Sequence, residues 1–205
     1  DLESDIEPDY DRVLDAILGA ASRAELVIRG NRVLSPAIAP AALPAPSARR
    51  RFDRHGSYLI TGGFGGMGLP IADWMSERGA GCLVLASRRG GTSESQTVIA
   101  DIKRRGTVVV QESVDVSDEA NVRRLLARIH RSGFPLRGVI HAAGVFEDQL
   151  LARHDWDYFR RVFLPKAAGA WNLHRLTSNC RLEHFVLFSS AARYRDRTAG
   201  ISSSL

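Results

Sequence analysis

The chain has 205 residues, 44% hydrophobic and 25% charged, enough for one domain plus an appendage with a core that needs no disulfide or metal staple. Its two cysteines, Cys82 and Cys180, form no CxxC, its six histidines lack metal-ligand spacing, and no run of about 18 apolar residues could span a bilayer. No signal peptide opens the chain, so a cytoplasmic location is expected; the net charge of +5 invites a nucleic-acid reading, but much of the excess sits in Arg49-Arg50-Arg51 and in Arg193, Arg195 and Arg197 and reads better as solvated charge, so nucleic acid is not expected as a partner.

Residues 8 to 22 carry apolar side chains at Val13, Leu14, Ile17 and Leu18, a spacing that predicts a helix. Two short strands around a Gly30-Asn31 hairpin turn are predicted next. Residues 38 to 55, rich in Pro, Ala and Arg, cannot continue a helix or a central strand. The expected organisation is a small subdomain over residues 1–37, a linker over 38–55 and a second domain over 56–205.

From Gly56 onward strands and helices alternate. The predicted strands are Ser57–Thr61, Cys82–Ser87, Thr107–Glu112, Gly138–Ala143 and His184–Ser189. Helices are predicted up to Ala80, over Thr92–Gly106, over Ser117–Arg131 with Ser117 and Asp118 as candidate N-caps, and largely over His154–Thr177. Such alternation means right-handed crossovers, and so an α/β fold with a doubly wound, Rossmann-type parallel sheet covered on both faces.

The strongest chemical signal is Thr61-Gly62-Gly63-Phe64-Gly65-Gly66-Met67-Gly68, directly after a strand and directly before a helix. Glycines there permit a tight turn, close approach to a pyrophosphate and close helix packing, and the helix N-terminus presents N–H groups to phosphates. Five of the eight residues are glycine, so three dinucleotide-binding patterns fit at once, and the run alone does not choose among them. After the second strand, Ser87-Arg88-Arg89 offers no carboxylate for a ribose 2′-hydroxyl, whereas Arg and Ser can hold a 2′-phosphate, which favours NADPH over NADH. Asp115-Val116 ends the third strand where adenine contact is expected, although an aspartate opening a turn reads equally well there. His141-Ala142-Ala143-Gly144 ends the fourth, its small residues suiting a ribose and nicotinamide laid against the backbone; no proton-transfer role is assigned to His141.

In combination with the blocks Ala86–Gly90, Val114–Asp118, Leu136–Leu151, Phe163–His174 and Phe185–Ala192, the glycine run makes the sequence resemble the ketoreductase domain of modular polyketide synthases, within the short-chain dehydrogenase/reductase superfamily. The resemblance covers roughly Gly56 to Ala192, and residues before about 45 look like the tail of the cofactor-less structural subdomain that precedes the catalytic one in that family. It implies NADPH-dependent reduction of a β-ketoacyl group tethered to an acyl carrier protein, among other synthase domains. It also implies catalytic roles for Lys166, as the ammonium beside a proton-donating tyrosine, and for Ser190, as the hydroxyl that polarises the carbonyl. Phe146-Glu147-Asp148 stands where a stereochemical Leu-Asp-Asp signature is found; Asp148 is kept, which leans towards the facial class carrying it.

The resemblance weakens after Ala192. The family's tyrosine is expected thirteen residues beyond the serine, where this chain has Ser203, and Tyr194 is only four beyond Ser190. The chain therefore reads as C-terminally truncated, with its fifth strand an exposed sheet edge and its catalysis impaired. Two other readings stay open: another reductase or a sugar-nucleotide epimerase of the superfamily, and a non-catalytic dinucleotide-binding or structural remnant.

Overall fold

A computed structural model of the chain describes residues 10–19, 27–29, 32–34, 52–145 and 150–189. They fall into two compact units. In the first, α1 (Tyr10–Gly19) precedes an antiparallel pair, β1 (Val27–Arg29) and β2 (Arg32–Leu34), as the helix-and-hairpin reading expects.

The second unit is a five-stranded parallel sheet with helices on both faces. Its elements are β3 (Ser57–Thr61), α2 (Gly68–Glu77), β4 (Cys82–Ser87), α3 (Ser93–Arg104), β5 (Val108–Ser113), α4 (Glu119–Arg131), β6 (Leu136–His141), α5 (Trp156–Phe163), α6 (Gly169–Thr177) and β7 (His184–Leu187). The strand order is β5-β4-β3-β6-β7, so the winding reverses between β3 and β6. All five predicted strands are present, and the doubly wound α/β class holds. Phe52 and Asp53, inside the expected linker, pack with this unit: Phe52 lies edge-on to Tyr58 and Trp74, and the Asp53 amide donates to the Tyr58 hydroxyl at 2.7 Å.

The central strands β3 and β4 are buried along almost their whole length and mostly apolar because both faces are covered, whereas β5, at the sheet's edge, carries Gln111, Glu112 and Ser113. With side chains alternating, Leu59, Val84 and Val139 turn to one face and meet Val122, Leu125 and Ile129 of α4 and Leu173 of α6. Tyr58, Ile60, Leu83 and Leu85 turn to the other and meet Met75 of α2 with Ile99 and Ile102 of α3. Each fully buried large side chain stabilises the unit by about 1.5–3 kcal/mol relative to exposure. Asp118 caps α4, accepting from the amides of Ala120 and Asn121, so of the two candidate caps the second is used. β7 is an end strand among the described residues, with Val186, Leu187 and Phe188 exposed.

The predicted helix over His154–Thr177 is broken into α5 and α6 by one π-helical turn, Leu164–Ala168. Pro165 lacks an N–H and its ring crowds the carbonyl four residues back, so a regular α-helix cannot pass through it. The turn widens instead, and the Gly169 amide reaches back to the carbonyls of Leu164 and Lys166.

Candidate functional site

Ligands of open α/β sheets bind outside the carboxyl ends of the strands, where the winding reverses. The two segments at that point are Thr61–Gly68 after β3 and His141–Gly144 after β6. Gly62 has φ +67°, and a Cβ on it would meet the Ala142 carbonyl oxygen at 2.6 Å. A Cβ on Gly63 would stand 2.9 Å from Leu85 Cα, and one on Gly68 2.3 Å from the Gly62 carbonyl oxygen. These three glycines are required by the protein's own packing. Gly66 is different: it is exposed, and a Cβ there would meet nothing within 4 Å. Phe64 is half-buried and packs towards Gly91, Met67 is exposed, and Gly65 closes the turn by donating to the Gly62 carbonyl at 2.9 Å.

At the neighbouring strand ends, Ser87 donates to the Arg89 carbonyl and Ser113 to the Arg88 carbonyl, each at 3.1 Å, which pins the loop after β4 with the Arg88 side chain exposed. Asp115 does open a turn, since Oδ1 accepts from the Ser117 amide at 2.9 Å and from its hydroxyl at 2.6 Å. It also lines a cavity of about 410 Å³ with Arg88, Ser117 and, from α5, Asp157, Arg160 and Arg161. Three arginines against two carboxylates leave this cavity net positive. Val116 is only 5% exposed and packs in the core, and its carbonyl accepts from Asn172 Nδ2 at 3.1 Å, so any ligand contact at Val116 would be through its main chain. A larger cavity of about 820 Å³, lined by Arg54, Arg78 and Arg105 among others, lies at the amino ends of the strands, away from the glycine run.

His141 is 4% exposed and bonded at both ring nitrogens: Nδ1 is 2.7 Å from Thr61 Oγ1 and Nε2 is 3.3 Å from the Lys166 carbonyl oxygen. Burial holds its pKa below the ordinary histidine value, against the backbone carbonyls of Lys166 and Pro165, which pull it up. Thr61 is fully buried, and its Oγ1 also accepts from the Ala143 amide at 3.4 Å. Ala142 pairs with the other segment through its amide, which donates to the Thr61 carbonyl at 3.1 Å. Gly144 is exposed, and a Cβ there would come 3.1 Å from Lys166 Cε, so the lysine stem passes beside the end of the fourth sheet strand in sequence. Two expected groups are thus neighbours: the His141–Gly144 segment and Lys166.

Ser190 and Asp148, with Phe146, Glu147, Tyr194 and Ser203, lie outside the described residues. Reading the sequence alone missed Asp157, Arg160 and Arg161 as cavity residues, because an arginine pair on an amphipathic helix carries no signal of what it faces. It also missed Asn172, buried and donating to the Val116 and Ser117 carbonyls; a polar side chain amid the apolar stripe of α6 was the available cue. Among the described residues no group of His, Cys, Asp and Glu could hold a metal ion, and no helix is long and apolar enough to cross a membrane.

A family profile described as KR domain matches residues 56–199. A component of the phenolphthiocerol/phthiocerol polyketide synthase of Mycobacterium tuberculosis is 38% identical over 176 residues, 85% of this chain and 10% of that protein. A mycocerosic acid synthase-like polyketide synthase of the same species is 43% identical over 147 residues, 72% of this chain and 7% of its own length. Among solved structures, A-type ketoreductases from a modular polyketide synthase align with a TM-score of 0.81 at 35% identity, covering 95% of this chain and 42% of the other. A C2-type ketoreductase aligns with a TM-score of 0.76 at 27% identity, covering 96% and 42%. The chain therefore spans about a tenth or less of these synthases, and likeness of fold alone does not select a stereochemical class.

Proposed function

The chain belongs to the KR domain family, the ketoreductases of polyketide synthases, and from that premise we propose that it binds NADPH for reduction of carrier-bound β-ketoacyl groups to β-hydroxyacyl groups. The observation that carries the cofactor reading is Gly66. Packing demands glycine at 62, 63 and 68 but leaves 66 open, and a glycine that the protein does not need for itself suits the close approach of a pyrophosphate. The residues fit the group: the N-terminus of α2 faces the same loop, and the net-positive cavity holding Arg88 and Asp115 suits an adenosine carrying a 2′-phosphate.

In this reading Thr61–Gly68 holds the pyrophosphate, Ser87 and Arg88 the 2′-phosphate, Asp115 and the Val116 main chain the adenine, and the main chain of His141–Gly144 the nicotinamide ribose, the buried His141 ring making no contact with it. Bound there, the reduced nicotinamide supplies hydride to the keto carbon. Lys166, whose stem passes beside Gly144, places an ammonium near that end of the site, where it would hold a hydroxyl of the nicotinamide ribose and favour ionised over neutral oxygen on a neighbouring hydroxyl. Ser190 orients and polarises the carbonyl, and Asp148 borders the acyl chain and biases which face receives hydride. The acyl chain arrives on a carrier protein, the relatives being polyketide synthases, with other synthase domains as neighbours.

Ser203 stands where the family's tyrosine is expected, so the 205 residues bind NADPH but transfer hydride poorly. The test is a fluorescence titration with NADPH and NADH, followed by turnover of a small β-ketone. Tighter binding of NADPH, lost in Arg88→Ala, with little turnover is the expected result. Equal affinity for NADH would overturn the cofactor assignment, and turnover at rates ordinary for an enzyme, about 1 per second or more, would overturn the impairment.

A further inference from the structure

His141 and Lys166 are 25 residues apart in sequence, and the contact between them is made by the ring of one and the main chain of the other. The hydrogen-bond order around the ring can be worked out from its partners. The Ala143 amide can only donate, so Thr61 Oγ1 accepts there and its own proton is available for His141 Nδ1, 2.7 Å away. The Lys166 carbonyl oxygen, 3.3 Å from Nε2, can only accept, so the ring proton of a neutral imidazole sits on Nε2 and Nδ1 accepts the Thr61 proton. That carbonyl belongs to the π-helical turn, where it already accepts from the Gly169 amide. Gly169 also lets the start of α6 close on the ring: a Cβ there would lie 3.2 Å from His141 Cε1 and 2.8 Å from Val116 Cγ2. Widened turns of this kind are frequent at functional sites, and this one carries the proposed catalytic lysine.

We propose that His141 is a positioning residue: as the neutral Nε2–H tautomer it ties the Lys166 main chain to Thr61, the first residue of the glycine run. Resting on the proposed role of Lys166, this makes the lysine and the dinucleotide loop one rigid assembly. The imidazole transfers no proton and touches no substrate; it acts through the lysine.

Two substitutions separate the ring's two bonds. The amide nitrogen of His141→Gln reaches towards the Nε2 position and can donate to the Lys166 carbonyl. His141→Asn reaches only the Nδ1 position, keeping the Thr61 bond and losing Lys166. NADPH affinity is measured by fluorescence on the full chain, beside hydrogen exchange of the Leu164–Gly169 amides, with Lys166→Ala as control. We expect Lys166→Ala and His141→Asn each to weaken NADPH binding at least about fivefold, His141→Asn to speed exchange in the turn, and His141→Gln to stay within about twofold of the parent on both readouts. Equal behaviour of the Gln and Asn variants, with Lys166→Ala still weak, overturns the positioning role and leaves the lysine's role standing. Unchanged binding in Lys166→Ala overturns the lysine's role, and the proposal with it. Nitrogen chemical shifts of the unsubstituted protein give an answer that needs no variant to fold: a proton on Nδ1 overturns the positioning role.

Discussion

Replacing Gly66 and Gly68 separately by alanine should split folding from binding within one loop. At Gly68 the new methyl would sit 2.3 Å from the Gly62 carbonyl oxygen and 2.8 Å from Gly63 Cα, backbone atoms that cannot swing aside. Overpacking of this kind costs about 1–3 kcal/mol. For a folded unit of this size each kcal/mol lowers Tm by about 2–4 °C, so Gly68→Ala should melt roughly 2 to 12 °C below the parent. At Gly66 the methyl meets nothing and φ is not in the left-handed region, so alanine is accommodated and reduces the number of unfolded conformers. Gly66→Ala should therefore keep or raise stability, by up to about 1 kcal/mol. Its binding should suffer instead, because the methyl occupies the space a pyrophosphate would enter. A loss of at least about tenfold in NADPH affinity, about 1.4 kcal/mol, is expected. Thermal melts and fluorescence titrations of both variants check this. Parent-like NADPH affinity in Gly66→Ala would refute the argument that the open glycine is there for a ligand, and a parent-like melt in Gly68→Ala would refute the steric one.

Thiol reactivity should divide as burial does. Burial pushes the Cys82 thiol up to about 11, whereas Cys180 is exposed, so a thiol reagent should modify one cysteine in the native protein and the second only in denaturant. Rapid native labelling of both would contradict the burial of β4. Stability should also fall on mild acidification. The folded pKa of His141 lies below its unfolded value of about 6.5, so below that pH the unfolded chain takes up a proton that the folded one does not, and stability drops as pH falls towards the folded pKa. Above about 6.5 this contribution is flat. Melts between pH 7.5 and 5.5 should show a shallower decline in His141→Gln than in the parent, and an identical slope would show that the imidazole is not the group responsible.

The five strands, their parallel class and the glycine loop between the first of them and its helix were legible in the sequence because each rests on local information: apolar runs bounded by turns, and a glycine cluster framed by a strand and a helix. The antiparallel pair around Gly30-Asn31 was legible for the same reason. The chain order of elements does not state the strand order, and only the packed sheet brings the end of β3 beside the end of β6. That placement makes glycine necessary at 62, where Ala142 stands close, and β4 does the same at 63 through Leu85, a distinction from Gly66 that is invisible in a run where five of eight residues are glycine. Similarly, Pro165 signals a disturbed helix, but that the disturbance is a widened turn carrying Lys166 is decided only in the fold. The bond from His141 to Thr61 joins residues 80 positions apart, and the α5 arginines line one cavity with Arg88 across more than one crossover. Hydrophobic periodicity and turn chemistry act over a few residues and so are written along the chain; steric clearance and hydrogen-bond partners are properties of distance in space, and only the folded sheet sets them.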